Sequence, residues 1–76
     1  MGYLLVSVDS LRDVDGNATP QIVHWHDGRT WEIERLLHIC PSVDLPFESV
    51  RYTVLIGGRE KYLYQAGKRW YVMAGT

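Results

Sequence analysis

The stretch VHWHDGRTWEIE, residues 23–34, brings two histidines and two glutamates into one short segment. Imidazole nitrogens and carboxylates are the donor types that hold zinc or nickel, and the same groups serve as acid and base in proton transfer. Either chemistry requires side chains distant in sequence to meet. A hairpin turning at Asp27-Gly28 would bring them together, with His24 and His26 on one strand facing Glu32 and Glu34 on the next. His24, His26 and Glu32 are therefore the metal candidates of the chain. Two considerations weigh against them. A hairpin face of this kind is open to water and shows no second shell, and His38 sits too far along the strand to complete a ligand set. Acid/base work needs a cleft that tunes pKa values. Cross-strand pairing of His with Thr or Glu on a solvated face accounts for the same residues, so the sequence assigns no metal, no cofactor and no catalytic residue.

Three further motifs resolve the same way. Asp13, Asp15 and Asn17 open like a calcium loop, but Ala18 stands where such loops need glycine and His24 where they need glutamate. An Asp/Gly/Asn turn explains the stretch better. Cys40 follows His38 by two residues, which sets the pair side by side on a strand, yet no oxyanion hole or third group accompanies them. Ile56-Gly57-Gly58-Arg59-Glu60 lacks the lysine-serine ending and following helix of a phosphate loop and suits a hairpin turn.

The elements that position these residues are short strands. Residues 3–8 alternate, with Leu4, Val6 and Val8 on one side, and a second strand starts at Pro20, where a missing N–H costs little. Glycine turn signals at Asp27-Gly28, Gly57-Gly58 and Gly67-Lys68 separate further alternating runs. This pattern predicts an all-β domain of five or six antiparallel strands, a meander curled into a small SH3-like barrel or a sandwich. Residues 33–40 also fit helical spacing through Ile33, Leu36, Leu37 and Cys40. The tight turn before them and the missing cap favour a strand with a bulge or bend near Arg35. A three-residue loop around Asp27-Gly28 puts Val23, Trp25, Trp31 and Ile33 on one face, and burying those side chains outweighs a turn preference of about 1 kcal/mol. His24, His26, Glu32 and Glu34 then share the other face.

Seventy-six residues make one domain. Cys40 is the only cysteine, so no internal disulfide or cysteine-rich zinc cage can brace it; three Trp, five Tyr and one Phe supply the core instead. The first residues lack the basic start and apolar length of a signal peptide or membrane span. Gly2 does not open a myristoylation signal, and the Asn17-Ala18-Thr19 sequon carries meaning only in a secreted chain. A cytoplasmic protein with no membrane partner is expected. Charge is unevenly spread: residues 1–44 hold three cations against seven anions, a net −4, and residues 45–76 hold five against two, a net +3. That asymmetry either steers an acidic partner or draws the two halves together.

The last three strands carry the candidate binding surface. With Val50, Tyr52, Val54, Tyr62, Tyr64, Trp70 and Val72 inward, the outward row contains Arg51, Leu55, Lys61, Leu63, Arg69, Tyr71 and Met73. Aromatic, Met and Arg side chains together compose interface cores. The row is thus expected to contact a protein partner or a second copy of the chain, unless the first strand or a terminus covers it. The alternative is single-stranded nucleic acid, held by Tyr71 beside Arg51, Lys61 and Arg69, although the chain is slightly acidic where such binders are basic.

Pro20, Trp25, Gly28, Arg29, Trp31 and Ile33, followed by Arg51-Tyr52-x-Val54, Gly57-Gly58-Arg59-Glu60, Tyr62-Leu63 and Arg69-Trp70, form a pattern that runs through most of the chain. It resembles a group of short uncharacterised bacterial proteins found largely among Firmicutes. The resemblance implies a small all-β domain and brings no activity. His24 and His26 stand where ordinary polar residues are expected in that pattern, which tells against a metal function shared by the group.

Overall fold

The computed structural model describes residues 2–16 and 18–74, and these form strands and turns without a helix. Seven strands follow in chain order: β1 (Gly2–Arg12), β2 (Ala18–His24), β3 (Thr30–Glu32), β4 (Arg35–Ser42), β5 (Ser49–Ile56), β6 (Arg59–Ala66) and β7 (Arg69–Ala74). They make one antiparallel sheet in the order β3-β2-β1-β7-β6-β5-β4, curled into a half-barrel. The all-β expectation holds, with seven strands in place of five or six.

The curl goes with one strand that changes neighbours and with one break between strands. Residues Gly2–Val6 of β1 pair with β7, while Ser7–Arg12 pair with β2. A register shift at Asp9/Ser10 bends the strand. Residues 33–40 are extended rather than helical, but they do not belong to one strand. The chain breaks at Ile33-Glu34, leaving β3 against β2 and β4 against β5, at opposite ends of the sheet. Both residues of the break are held by backbone bonds. Ile33 N–H donates to the Gln21 carbonyl at 2.9 Å and Glu34 N–H to the Leu55 carbonyl at 2.8 Å. These bonds tie β2 to β5 and draw the ends of the sheet together. The Glu34 carboxylate adds a third tie by accepting from Gly58 N–H at 3.2 Å.

The β2–β3 hairpin forms as its parity requires. Trp25 N–H donates to the Arg29 carbonyl at 2.9 Å and Gly28 N–H to the Trp25 carbonyl at 3.1 Å, with Gly28 at φ 88°. This is a three-residue loop, a turn closed by a glycine in the left-handed region. Asp27 clamps it by accepting from Arg29 N–H at 3.1 Å and Arg29 Nε at 2.7 Å. The backbone donor is the larger cause holding the Asp27 carboxyl below its usual range. Val23 lies opposite Trp31, and the Trp25 and Trp31 rings meet edge to face at 4.6 Å.

Two apolar layers result, one on each side of the sheet. The concave layer is Val6, Val23, Tyr52, Val54, Leu63 and Trp70, flanked by Trp25, Trp31, Ile33, Leu36 and Val72. The convex layer is Leu45, Tyr64 and Tyr71 with Phe47, Ala66 and Met73. Residues 43–48, between β4 and β5, supply its cover. Phe47 meets Tyr71 at 5.2 Å, and Tyr3 closes edge-on against both rings at 5.4 Å. A chain of this length thus buries both faces of its central strands, which offsets the lack of any cross-link.

Candidate functional site

The register of β6 decides which side chains meet. Gly57 and Gly58 both take positive φ, 59° and 76°, and Ile56 pairs directly with Arg59. A two-residue loop of this kind is a type I′ turn, which keeps opposed residues on one face. Lys61 therefore lies opposite Val54, Leu63 opposite Tyr52 and Gln65 opposite Val50, all on the concave side. Tyr62 and Tyr64 fall on the convex side. The expected parity of this strand is reversed.

The proposed outward row consequently divides. Leu63 is 1% exposed and belongs to the concave core. Lys61 lies on the concave side as well. Tyr71, 9% exposed, and Met73 lie in the convex layer beneath residues 43–48. Arg51, Leu55 and Arg69 stay on the convex side, where Tyr62 joins them at 51% exposure. Sequence reasoning missed Tyr62 by turning it inward. The Arg51 guanidinium sits 4.6 Å from the Tyr62 ring centre, and its Nη1 lies 3.4 Å from Asp44 Oδ2. With Tyr71 enclosed by Tyr3 and Phe47, the aromatic platform expected for a nucleobase is covered.

Asp44 fastens the cover to the sheet. Its Oδ2 accepts from the Tyr64 hydroxyl at 2.8 Å. Burial first, then this carboxylate, pushes the Tyr64 hydroxyl up to about 12. Above pH 10 the unfolded chain ionises at this tyrosine while the folded chain keeps its proton. Stability from this group is accordingly complete below pH 10 and falls between pH 10 and 12, by about 3 kcal/mol. Urea midpoints measured across that range should drop steeply in the wild type and less in Tyr64→Phe. Tyr52, also raised by burial, accounts for part of the slope that stays.

The histidine and glutamate side chains do not converge. His24 Nε2 lies 2.9 Å from Asp9 Oδ2 on β1, and His24 pairs across the hairpin with Thr30. His26 is exposed in the turn, Glu32 is exposed opposite Ile22, and Glu34 is taken by Gly58. Among the described residues no group of three or more His, Cys, Asp or Glu is placed to hold a metal. Residues 13–16 form a turn in which Asp13 accepts from Asp15 N–H and Gly16 N–H, both at 3.0 Å. Asn17, shared by the sequon and the calcium-loop pattern, lies outside the described residues. Cys40 is a free, partly buried thiol opposite Arg51.

What the fold does assemble is a cavity of about 480 Å³ at one end of the half-barrel. The paired Trp25 and Trp31 rings form a wall of it, Leu4 and Val72 also line it, and the fully buried Val23, Val54 and Leu63 make the floor. Six strands, all but β4, and the β2–β3 turn contribute, so the curl of the sheet creates it. Arg29, Glu60 and Lys61 stand among its lining residues. Arg29 is neutralised by Asp27 at 2.7 Å, whereas Lys61 Nζ lies 5.8 Å from the Trp31 ring centre. Trp25 Nε1 is buried with no acceptor among the described residues. An unmatched donor of that kind costs about 1–3 kcal/mol.

The chain matches no protein-family model, no curated protein and no solved structure. No helix among the described residues is long and apolar enough to cross a membrane.

Proposed function

We propose that this protein is a non-enzymatic binding module that takes an apolar group into the open end of its half-barrel. The observation that carries this reading is the cavity itself. Its volume of about 480 Å³ falls within the range of ligand sites, and a tryptophan pair walls an apolar floor. A mouth of this kind suits an SH3-like barrel in a bacterial, cytoplasmic setting, which stays an expectation of the sequence.

Titration of the labelled protein with toluene, followed by amide and indole NMR signals, tests it. Signals of Trp25, Trp31, Leu4 and Val72 should move together, and Trp31→Ala should weaken binding about tenfold by removing one aromatic wall. Movement confined to Leu37, Ile39 and Cys40, or no movement, would refute the reading.

Those residues mark a second reading, self-association along the edge. β4 ends the sheet, and Leu37 and Ile39 are 41% and 44% exposed on it. The irregularity at Leu36/His38 and Pro41, which lacks an N–H, interrupt the edge that a second copy would pair with.

A further inference from the structure

We infer that the group bound at the mouth is a small carboxylic acid with an aromatic-sized apolar body, its charge read by Lys61. The inference rests on the mouth being the binding site and adds the chemistry of its ligand. Lys61 is the anomaly that carries it. On the concave face of β5 and β6 this lysine is flanked on one side by the buried Tyr52 and Leu63 and on the other by Ile56 and the exposed Arg59, which lies outside the cavity lining, and the buried Val54 lies directly opposite it. A lysine in such company lays its methylenes along the apolar wall and lifts its ammonium to the water at the rim. The Trp31 ring face below the ammonium holds it there.

The remaining charges at the mouth do not take up this cation. Among the described residues Lys61 has no carboxylate within ion-pair distance, and Arg29 is spent on Asp27. Glu60 lines the mouth from the other face of β6, opposite Leu55, and forms no ion pair with Lys61. A single available ammonium over an aromatic wall matches one negative charge on an apolar body. A phosphate would call for several donors, and the lining supplies no such cluster. A carboxylate satisfies Lys61 while its ring packs on Trp25 and Trp31.

The test compares 3-phenylpropionate with 3-phenylpropionamide, which has nearly the same shape and no charge, on the full chain at low salt. Indole and amide NMR shifts report the site and the affinity. The acid should bind about tenfold more tightly than the amide. Lys61→Met, which keeps an apolar stem, should abolish that preference, so that acid and amide bind alike. Lys61→Arg should retain it. Equal binding of acid and amide with shifts at Trp25 and Trp31 would overturn the charge inference and leave the mouth as the site. A preference that survives in Lys61→Met would overturn it too, by placing the cation elsewhere. Shifts by neither probe at the two tryptophans would overturn the inference together with the site beneath it.

Discussion

Leu63→Ala is expected to cost about 3 kcal/mol and to lower Tm by roughly 12–24 °C, whereas Leu55→Ala should cost less than about 1 kcal/mol. The two leucines look equivalent in an alternating sequence, and the hairpin turn separates them. Leu63 is 1% exposed, set opposite Tyr52 in the same buried cluster as Val54 and Trp70. Truncation leaves a void that a curled sheet cannot close, because the surrounding strands are fixed by their hydrogen bonds. Leu55 lies on the convex side outside both buried clusters. Total stability for a domain of this size is of order 4–11 kcal/mol, so the first change removes a large part of it. Thermal and urea unfolding of the two variants side by side measures the difference. Equal losses would mean that the two leucines share a face.

Tyr71→Glu should leave the chain unfolded or nearly so at neutral pH. The ring is 9% exposed, enclosed by Tyr3 and Phe47 beneath residues 43–48. Losing a buried aromatic of this size costs about 3–5 kcal/mol, and a carboxylate in its place adds the cost of burying charge or of holding a proton. Lowering the pH to about 4, near the ordinary glutamate value, should return part of the structure by neutralising the new group. Tyr62→Glu is the control. Its ring is 51% exposed two residues before Tyr64, and the change should shift stability by less than about 1 kcal/mol. Far-UV circular dichroism with urea titration distinguishes the two. A folded Tyr71→Glu variant would show that the convex layer is open rather than covered.

The parts of the fold legible in the sequence are those set by neighbours close along the chain. In the β2–β3 hairpin, the parity of Val23, Trp25, Trp31 and Ile33 demanded a three-residue loop, and Gly28 supplied it. Residues 33–40 are extended, as the tight turn before them and the missing cap favour. The break at Ile33-Glu34 was not legible. Its cause is a pair of bonds to Gln21 and Leu55, and the local alternation is the same with or without them. The cover was hidden for a similar reason. Leu45 and Phe47 sit among Asp44, Pro46 and Glu48, a composition that marks a loop and says nothing of what the loop lies on.

The β6 register is a different kind of miss, since the information was present. Gly57-Gly58 is a strong signal for a two-residue loop, and that loop dictates Lys61 and Leu63 inward. The apolar bulk of Tyr62 and Tyr64 argues for the opposite parity. The tyrosines could face the other way because that side has a core of its own, under residues 43–48. The candidate site followed from this one choice: with Lys61 and Leu63 turned in, the binding surface moves from the convex row to the mouth. The histidine-rich segment that first suggests chemistry instead contributes its tryptophans to the wall.

The most direct test of the account is therefore the side on which β6 presents Lys61. A NOESY spectrum of the free, isotopically labelled protein measures it. Contacts from the Lys61 Hε protons to the Trp31 ring, and from the Leu63 methyls to the Tyr52 ring and Val54 methyls, are the predicted result. Contacts from the Tyr62 ring to Trp31 and Val54, with Lys61 Hε showing none to Trp31, would contradict it and remove the cation from the mouth.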